Sequence, residues 1–260
     1  MREILSDLVA EEQHLDQFLQ TLTERQWKTP TPAEGWNILD QVNHLAAVEA
    51  LAAEVIAEGA DRLAREAITT VDDWTERHVS DARGRRHQAV IEGWRHARAD
   101  VIDALSRLEP DERIPWLYGD MSARSFATMR LMETWAHGLD IKAAVLGRFT
   151  PLPEDKLEED EEDPLADTIR LRHVAWLAQA TLPFAFAEAG EDYPDAGIRV
   201  EVMGPRYQTW RFGSEATDQV IRGKAGEWCR VAVQRQSPEE TELKAIGDAA
   251  EVALRIVRCY

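Results

Sequence analysis

The stretch LMETWAHGLD, residues 131–140, indicates a helix that carries functional side chains, because it places Glu133 and His137 one helical turn apart. Residues four apart on an α-helix project from the same face. A carboxylate and an imidazole on one face supply two of the three protein ligands of a catalytic zinc site. The third candidate ligand is His44, in the segment QVNHLAA, residues 41–47. Two nitrogens and one carboxylate oxygen leave one coordination position open.

The two helix faces that carry these residues also carry apolar residues at helical spacing, so both faces are expected to point inward. A buried carboxylate is costly unless a cation or a hydrogen-bond donor lies beside it. For Glu133 that partner is a metal ion, a direct ion pair with His137, or the guanidinium of Arg130, and the periodicity alone does not choose among them. Asp140 is either an exposed helix residue, which the pattern slightly favours, or a side chain that orients an imidazole.

Four segments before residue 150 show the three- and four-residue apolar spacing of α-helices. The predicted helices cover about 2–26, 37–58, 83–108 and 122–146, whereas residues 59–80 give only a hint of a short helix. Asn37 and Ser122 are the expected N-caps, and Gly147 is the expected stop signal. Prolines make residues 29–36 a predicted loop. Four helices of about six turns predict an antiparallel four-helix bundle over residues 1–150.

The remainder of the chain predicts a small α+β domain over residues 167–260. Residues 167–188 look helical with a kink or break at Pro183, and helices are also expected over 224–235 and 247–258. Alternating residues in 198–202 and 207–212 predict a β-hairpin, and 219–222 predicts a third strand. Between the two domains, eight of the ten residues 154–163 are acidic and prolines flank them. Such a block repels itself, which predicts an extended acidic linker over 151–166.

The composition excludes several classes of partner. The formal net charge of −18 argues against nucleic acids and anionic membrane surfaces, since binders of phosphate need a basic footprint. No stretch approaches the ~20 apolar residues needed to span a bilayer, and the N-terminus is acidic and amphipathic. Cys229 and Cys259 fit no metal or redox spacing. We therefore expect a cytoplasmic protein that binds small molecules.

Two motifs resemble those of a known family. The segments WNILDQVNHL, residues 36–45, and ETWAHGLDI, residues 133–141, resemble motifs of the DinB/YfiT-like metalloenzymes, and within them the mycothiol-dependent maleylpyruvate isomerase family. The resemblance implies a DinB-like four-helix bundle followed by a smaller α+β domain. It also implies a divalent metal, normally Zn²⁺, bound by His44, Glu133 and His137. In that family the metal is thought to bind and activate the thiol of mycothiol.

A third segment adds a candidate catalytic residue. The stretch VIRGKAGEWCRVAVQR, residues 220–235, resembles the part of the family's C-terminal domain from which an arginine reaches toward the metal cleft. The matching residue is Arg235, which the resemblance implies would bind a carboxylate of substrate or cofactor through a bidentate contact. From the residues alone, Arg235 is equally well explained as an exposed arginine favoured at the end of a helix.

Three functional hypotheses follow. The first is a zinc- and mycothiol-dependent isomerase or thiol transferase that acts on a small electrophilic metabolite, as a monomer or homodimer. The second is a metal-dependent hydrolase with zinc-bound water as the nucleophile. The third is a non-catalytic module that binds a metal or a small molecule. The resemblance favours the first hypothesis, whereas the residues themselves do not select a substrate.

Overall fold

The computed structural model describes residues 1–66, 68, 70–117, 119–158 and 162–259. Within these residues the chain divides into two compact units, Met1–Arg148 and Phe149–Tyr260. The prediction of a mainly α-helical protein with a small mixed region near the C-terminus is confirmed. None of the described helices is both long enough and apolar enough to cross a bilayer.

The first unit is helical apart from one short ribbon. Its elements are, in chain order, α1 (Arg2–Gln20), α2 (Ile38–Glu58), α3 (Ala60–Glu66), α4 (Val71–Ala82), α5 (His87–Ser106), β1 (Arg113–Ile114), β2 (Met121–Ser122) and α6 (Ala123–Leu146). The long helices α1, α2, α5 and α6 pack as a bundle, with α2 against α5 and α1 against α6. Their apolar faces meet around Leu15, Leu45 and Trp94, which are at most 1% exposed. Burial of these side chains holds the bundle together.

The predicted caps of the two helices that carry the candidate ligands are confirmed. The Asn37 side chain accepts a hydrogen bond from the Asp40 backbone N–H, and the Asp40 carboxylate accepts one from the Asn37 backbone N–H. This capping box satisfies donors that the first turn of α2 leaves free. At the start of α6, the Ser122 hydroxyl accepts from the Ser125 N–H at 3.1 Å. Gly147 ends α6 in the left-handed conformation at φ 70°.

Some of the predicted helix boundaries are wrong for local reasons. The first helix ends at Gln20 rather than near residue 26, because Thr23 and Gln26 bond to each other in a separate turn. The third predicted helix begins at His87 rather than near residue 83, since Gly84 adopts a positive φ of 96°. The segment 59–80 contains parts of two helices, α3 and α4, where a single short helix was expected.

The second unit is α+β, as predicted. It contains α7 (Leu171–Ala180), α8 (Leu182–Ala189), β3 (Arg199–Met203), β4 (Thr209–Phe212), β5 (Val220–Lys224), α9 (Ala225–Ala232), β6 (Lys244–Ile246) and α10 (Asp248–Ile256). The strand order is β4-β3-β5-β6, with the predicted β3–β4 hairpin antiparallel and β5 parallel to β3. The predicted break near Pro183 is confirmed, because α8 begins one residue earlier. The sequence analysis missed β6, which has only three residues.

The acidic segment is only partly as expected. Residues 159–161 of the predicted linker lie outside the described residues. Asp163, at its C-terminal side, is 5% exposed rather than solvated. Its carboxylate accepts hydrogen bonds from the backbone N–H groups of Leu152 and Leu165, at 2.6 and 2.9 Å. The expectation of an extended, solvated segment is therefore wrong at this residue, and the linker as a whole stays a prediction.

Acidic side chains are buried inside the helical bundle. The carboxylate of Asp16 accepts hydrogen bonds from Arg95 and Arg98, at 2.5 and 2.6 Å, and is thereby compensated. Glu12 is 3% exposed, and its Oε1 has no hydrogen-bond partner among the described residues. Burial, followed by the nearby charge of Glu49, raises the pKa of Glu12 to about 9 from its usual 4.5. Glu12 is therefore protonated in the folded protein at neutral pH.

The free energy of unfolding should fall as the pH rises from 5 to 8, and we expect the substitution Glu12→Gln to make this fall smaller. In this range, on the pKa of about 9, the carboxyl of Glu12 is protonated when folded and ionised when unfolded. Unfolding thus releases a proton, and the free energy of unfolding falls as the pH rises. A glutamine stays neutral in both states and removes this contribution. Urea denaturation at the two pH values measures the difference.

The matched control is Gln13→Ala, which replaces an exposed uncharged side chain of the same helix. Its pH dependence of stability should follow that of the parent. An unchanged difference between pH 5 and pH 8 in Glu12→Gln would contradict the protonated state assigned to Glu12.

Candidate metal centre

The bundle brings together the three residues that the sequence singled out. His44 lies on α2, and Glu133 and His137 lie one turn apart on α6. One ligand atom from each residue lies within 4.8 Å of the others. Glu133 Oε2 is 3.3 Å from His137 Nε2 and 3.7 Å from His44 Nε2. A carboxylate oxygen therefore faces two imidazole nitrogens from adjacent helices.

This spacing fits a first-row divalent metal. Zinc binds histidine nitrogen and carboxylate oxygen at about 2.0–2.2 Å, so neighbouring ligand atoms of a tetrahedral site are about 3.4 Å apart. The two distances from Glu133 Oε2 lie on either side of that value. Nitrogen and carboxylate donors suit zinc, and they suit nickel and iron as well. The donor set therefore fits a metal without choosing among these three.

The tautomer of His137 follows from the side chain of Gln41. Gln41 Oε1 lies 2.5 Å from His137 Nδ1, and Gln41 Nε2 lies 3.5 Å from Asp140 Oδ2. Gln41 Nε2 also donates to Thr31 Oγ1, whose own hydrogen is donated to the Trp36 carbonyl, so the NH₂ end of the Gln41 amide faces Thr31 and Asp140. The amide oxygen then faces His137, whose Nδ1–H donates to it. Nε2 of His137 is left with its lone pair directed toward Glu133.

The same hydrogen bonds connect the site to the loop before α2. Gln41 Nε2 donates to Thr31 Oγ1 at 2.9 Å, and Thr31 Oγ1 donates to the Trp36 carbonyl at 3.0 Å. The indole of Trp36 lies over both imidazoles, with ring centroids 5.3 Å from His44 and 6.3 Å from His137. The relay of Gln41, Thr31 and Trp36 therefore fixes one histidine and an aromatic cover together.

Sequence reasoning missed all three residues of this relay, and its preference for Asp140 was wrong. Asp140 is 1% exposed rather than on the surface, because it faces the Gln41 amide inside the bundle. The signal for Gln41 was its position three residues before His44, which places both on one face of α2. Thr31 and Trp36 lie in a loop, where periodicity gives no information.

The electrostatics of the site favour the protonation states that metal ligands need. Burial, then the neighbouring His137, lowers the pKa of His44 to about 4. Burial opposes ionisation of Glu133, yet the polar groups around it, together with the charge of Arg130, hold its pKa well below the usual range. Arg130 itself pairs with buried Glu49 at 3.9 Å. A neutral imidazole and an ionised carboxylate at pH 7 require no proton release before binding a cation.

Arg235 belongs to the second unit, three residues after α9 ends. Its backbone N–H donates to the Arg230 carbonyl at 2.8 Å, and its Nη1 donates to the Val233 carbonyl at 2.6 Å. These contacts place the side chain against the local backbone. Its role in binding a carboxylate stays a prediction.

Comparison with known proteins identifies relatives along nearly the whole chain. A family model described as the mycothiol maleylpyruvate isomerase N-terminal domain matches residues 8–142. Uncharacterized proteins from two strains of Mycobacterium tuberculosis are 30% identical over 258 residues, which is 98% of this chain and 94% of theirs. The mycothiol-dependent maleylpyruvate isomerase crystal structure, and that of a histidine-to-alanine mutant, share the fold at TM-scores of 0.59 and 0.60. They are 16% and 15% identical, covering 94% of this chain and 92% of theirs.

We expect Gln41→Leu to release the tautomer of His137. Leucine provides no acceptor for Nδ1–H, so the imidazole of His137 should no longer be held in a single tautomer. Long-range ¹H–¹⁵N correlation spectra of metal-free protein report the two forms through the nitrogen chemical shifts. Gln41→Glu keeps an acceptor oxygen in the same place and should retain the single tautomer.

The matched control is Gln17→Leu, at an exposed glutamine of α1. It should leave the histidine spectrum unchanged. If Gln41→Leu keeps His137 in the Nδ1–H form, another group must orient the ring and the assignment to Gln41 fails.

Proposed function

This chain belongs to the mycothiol maleylpyruvate isomerase N-terminal domain family, and from that membership we propose that it is a metal-dependent enzyme that uses mycothiol. In detail, it would be a zinc-dependent isomerase or thiol transferase that acts on a small electrophilic metabolite. The observation that carries this proposal is the convergence of two imidazoles and one carboxylate within 4.8 Å. Three protein ligands leave a position for an exogenous ligand, which structural zinc sites lack.

Each side chain of the centre has a part in this proposal. A divalent metal bound by His44, Glu133 and His137 would favour the thiolate form of a coordinated thiol, which is the nucleophilic form. Gln41 would keep the Nε2 lone pair of His137 available by accepting from Nδ1. Trp36 would shield the two imidazoles from water on its side. Arg235 would bind a carboxylate of the substrate or cofactor, as the family resemblance implies.

The burial of Glu133 supports a catalytic metal over a site without one. The Glu133 side chain has an exposed fraction of 17%, and its Oε2 faces the imidazoles of His44 and His137. A largely buried carboxylate gains from a divalent cation beside it, because the cation adds to the positive charge that Arg130 already supplies. The hydrolase alternative would use the same ligands with water in place of the thiol.

We expect purified protein reconstituted with zinc to bind near one equivalent, and His44→Ala and Glu133→Ala to bind little. Removing one of three protein ligands leaves too few donors for a stable site. Metal analysis after dialysis measures the content. Gln41→Leu should keep the site but weaken it by about 10–100-fold, the usual effect of removing a partner of a metal-bound histidine.

His96→Ala is the control for this series, since His96 is an exposed histidine of α5 in the same bundle. It should retain parental zinc. Failure of the parent to bind zinc, nickel or iron after reconstitution would refute the metal centre.

We expect mycothiol to bind the metal-loaded parent as a thiolate at neutral pH. Because a free thiol of ordinary pKa is mostly protonated there, ultraviolet thiolate absorbance should rise on mixing. Metal-free protein and His44→Ala should show no rise. A derivative of mycothiol with a methylated sulfur serves as the ligand control.

An absorbance rise that is the same with and without metal would contradict a role for the centre in thiol activation. Turnover of a substrate that requires the metal but does not change when mycothiol is added would contradict the thiol-dependent enzyme and favour the hydrolase.

A further inference from the structure

The first unit contains a cleft of about 700 Å³ that differs in charge from the rest of the chain. It lies between the turn after α1, the start of α2 and the connection from α4 to α5. Four cationic side chains line it, namely Lys28, Arg83, Arg85 and Arg86, against two acidic ones, Glu24 and Asp40. The lining thus carries a formal charge of +2, in a chain whose formal net charge is −18. We call it the basic cleft.

Most of the cations of the basic cleft have no acidic partner. Lys28, Arg85 and Arg86 are exposed and form no ion pair with any residue that the structure describes. Some exposed arginines elsewhere do pair, as Arg65 does with Glu58, whereas others, such as Arg77 and Arg255, form no ion pair with a described residue. The basic cleft differs from these isolated arginines because it brings three such cations to one concave surface. Three unpaired cations at one concave surface repel one another unless an anion lies between them. This arrangement is expected of a site that an anionic ligand completes.

The acidic residues of the lining leave that charge largely uncompensated. Asp40 is 3% exposed and already used, because its carboxylate caps the Asn37 N–H at 3.0 Å and faces Arg83 Nε at 3.6 Å. Arg83 also contacts Glu76 at 3.5 Å. These two carboxylates hold the Arg83 side chain in place at the edge of the basic cleft and partly neutralise its charge. Glu24 is exposed and is the remaining acid of the lining.

Two further features of the basic cleft suit an anion. The helix α5, 20 residues long, begins at His87 in the lining, and its N-cap residue Arg86 makes no side-chain capping bond. No acidic residue occurs in its first turn, so the positive end of the helix dipole adds to the charge of the arginines. Beneath them, buried Trp27 stacks on His87 with ring centroids 5.2 Å apart. The stack gives the cleft a rigid wall.

We propose that the basic cleft binds a small phosphorylated ligand, with Lys28, Arg85 and Arg86 contacting its phosphate oxygens. A phosphate monoester carries between one and two negative charges at neutral pH and presents three acceptor oxygens. Arginine matches such oxygens with paired N–H donors, and lysine adds a point charge. The volume of about 700 Å³ accommodates a metabolite-sized molecule. This site is separate from the metal centre, and the proposal does not depend on the proposed enzyme function.

Calorimetric titration with inorganic pyrophosphate tests the proposal on the full chain. The parent should bind, and the double variant Arg85→Glu/Arg86→Glu should bind at least roughly tenfold more weakly, since two attractive charges become repulsive. Binding by the parent should also weaken as salt is raised. The matched control is Arg255→Glu, which reverses an exposed arginine of α10. It should bind as the parent does.

Two further binding measurements test where the ligand binds and which chemical group is recognised. His44→Ala should bind pyrophosphate like the parent, which separates the basic cleft from chelation at the metal centre. Succinate should bind more weakly than pyrophosphate, because it carries less negative charge at neutral pH and has fewer acceptor oxygens in total. Absence of pyrophosphate binding, an equal loss in Arg255→Glu, dependence on His44, or tighter binding of succinate would each overturn the phosphate assignment. Circular dichroism confirms that the charge variants are folded.

Discussion

A carboxylate held among helices is the constraint around which the first unit is built. Glu133 lies inside the bundle with two imidazoles as its nearest polar partners. Burial alone would raise its pKa, and the surrounding groups reverse that effect. The reversal depends on α2 and α6 packing side by side, so that the polar groups around the carboxylate stay close to it. The caps at Asn37 and Ser122 set where these two helices begin, and the apolar faces of the four long helices set their packing.

The relay from His137 through Gln41 and Thr31 to Trp36 extends this constraint to a loop. A hydrogen bond specifies direction as well as distance, so each donor and acceptor in the relay fixes the next. The Thr31 hydroxyl decides which end of the Gln41 amide is the donor, because its own hydrogen is donated to the Trp36 carbonyl. One polar network thus determines the tautomer of a histidine and the place of the indole above it. Polar groups buried in a bundle are costly unless all of them are paired, which explains why these residues occur together.

Charge is distributed unevenly over the chain, and the two regions of interest use it differently. At the metal centre a single carboxylate lies between two imidazoles, which attracts a cation. In the basic cleft Lys28, Arg85 and Arg86 form no ion pair with any described residue, although the chain as a whole is strongly acidic. A local excess of one charge favours an oppositely charged ligand in both places. The net charge therefore determines the long-range electrostatic interactions of the protein, whereas the local charge of each site determines whether the site attracts a cation or an anion.

The sequence by itself determined the four long helices of the first unit, the caps of α2 and α6, and the three candidate ligands, because these depend on spacing along one chain segment. Glu133 and His137 share a helix face by periodicity, and Asn37, Ser122 and Gly147 act on their own neighbours. Only the tertiary structure decided what crosses between segments. At the metal centre, it buried Asp140 against Gln41 and connected Thr31 to the same side chain by a hydrogen bond. In the second unit it paired β5 with β3 in parallel. In the basic cleft it brought Lys28 close to Arg85 and Arg86. These residues lie tens of positions apart in the chain, and their proximity depends on how helices and strands pack rather than on any local pattern.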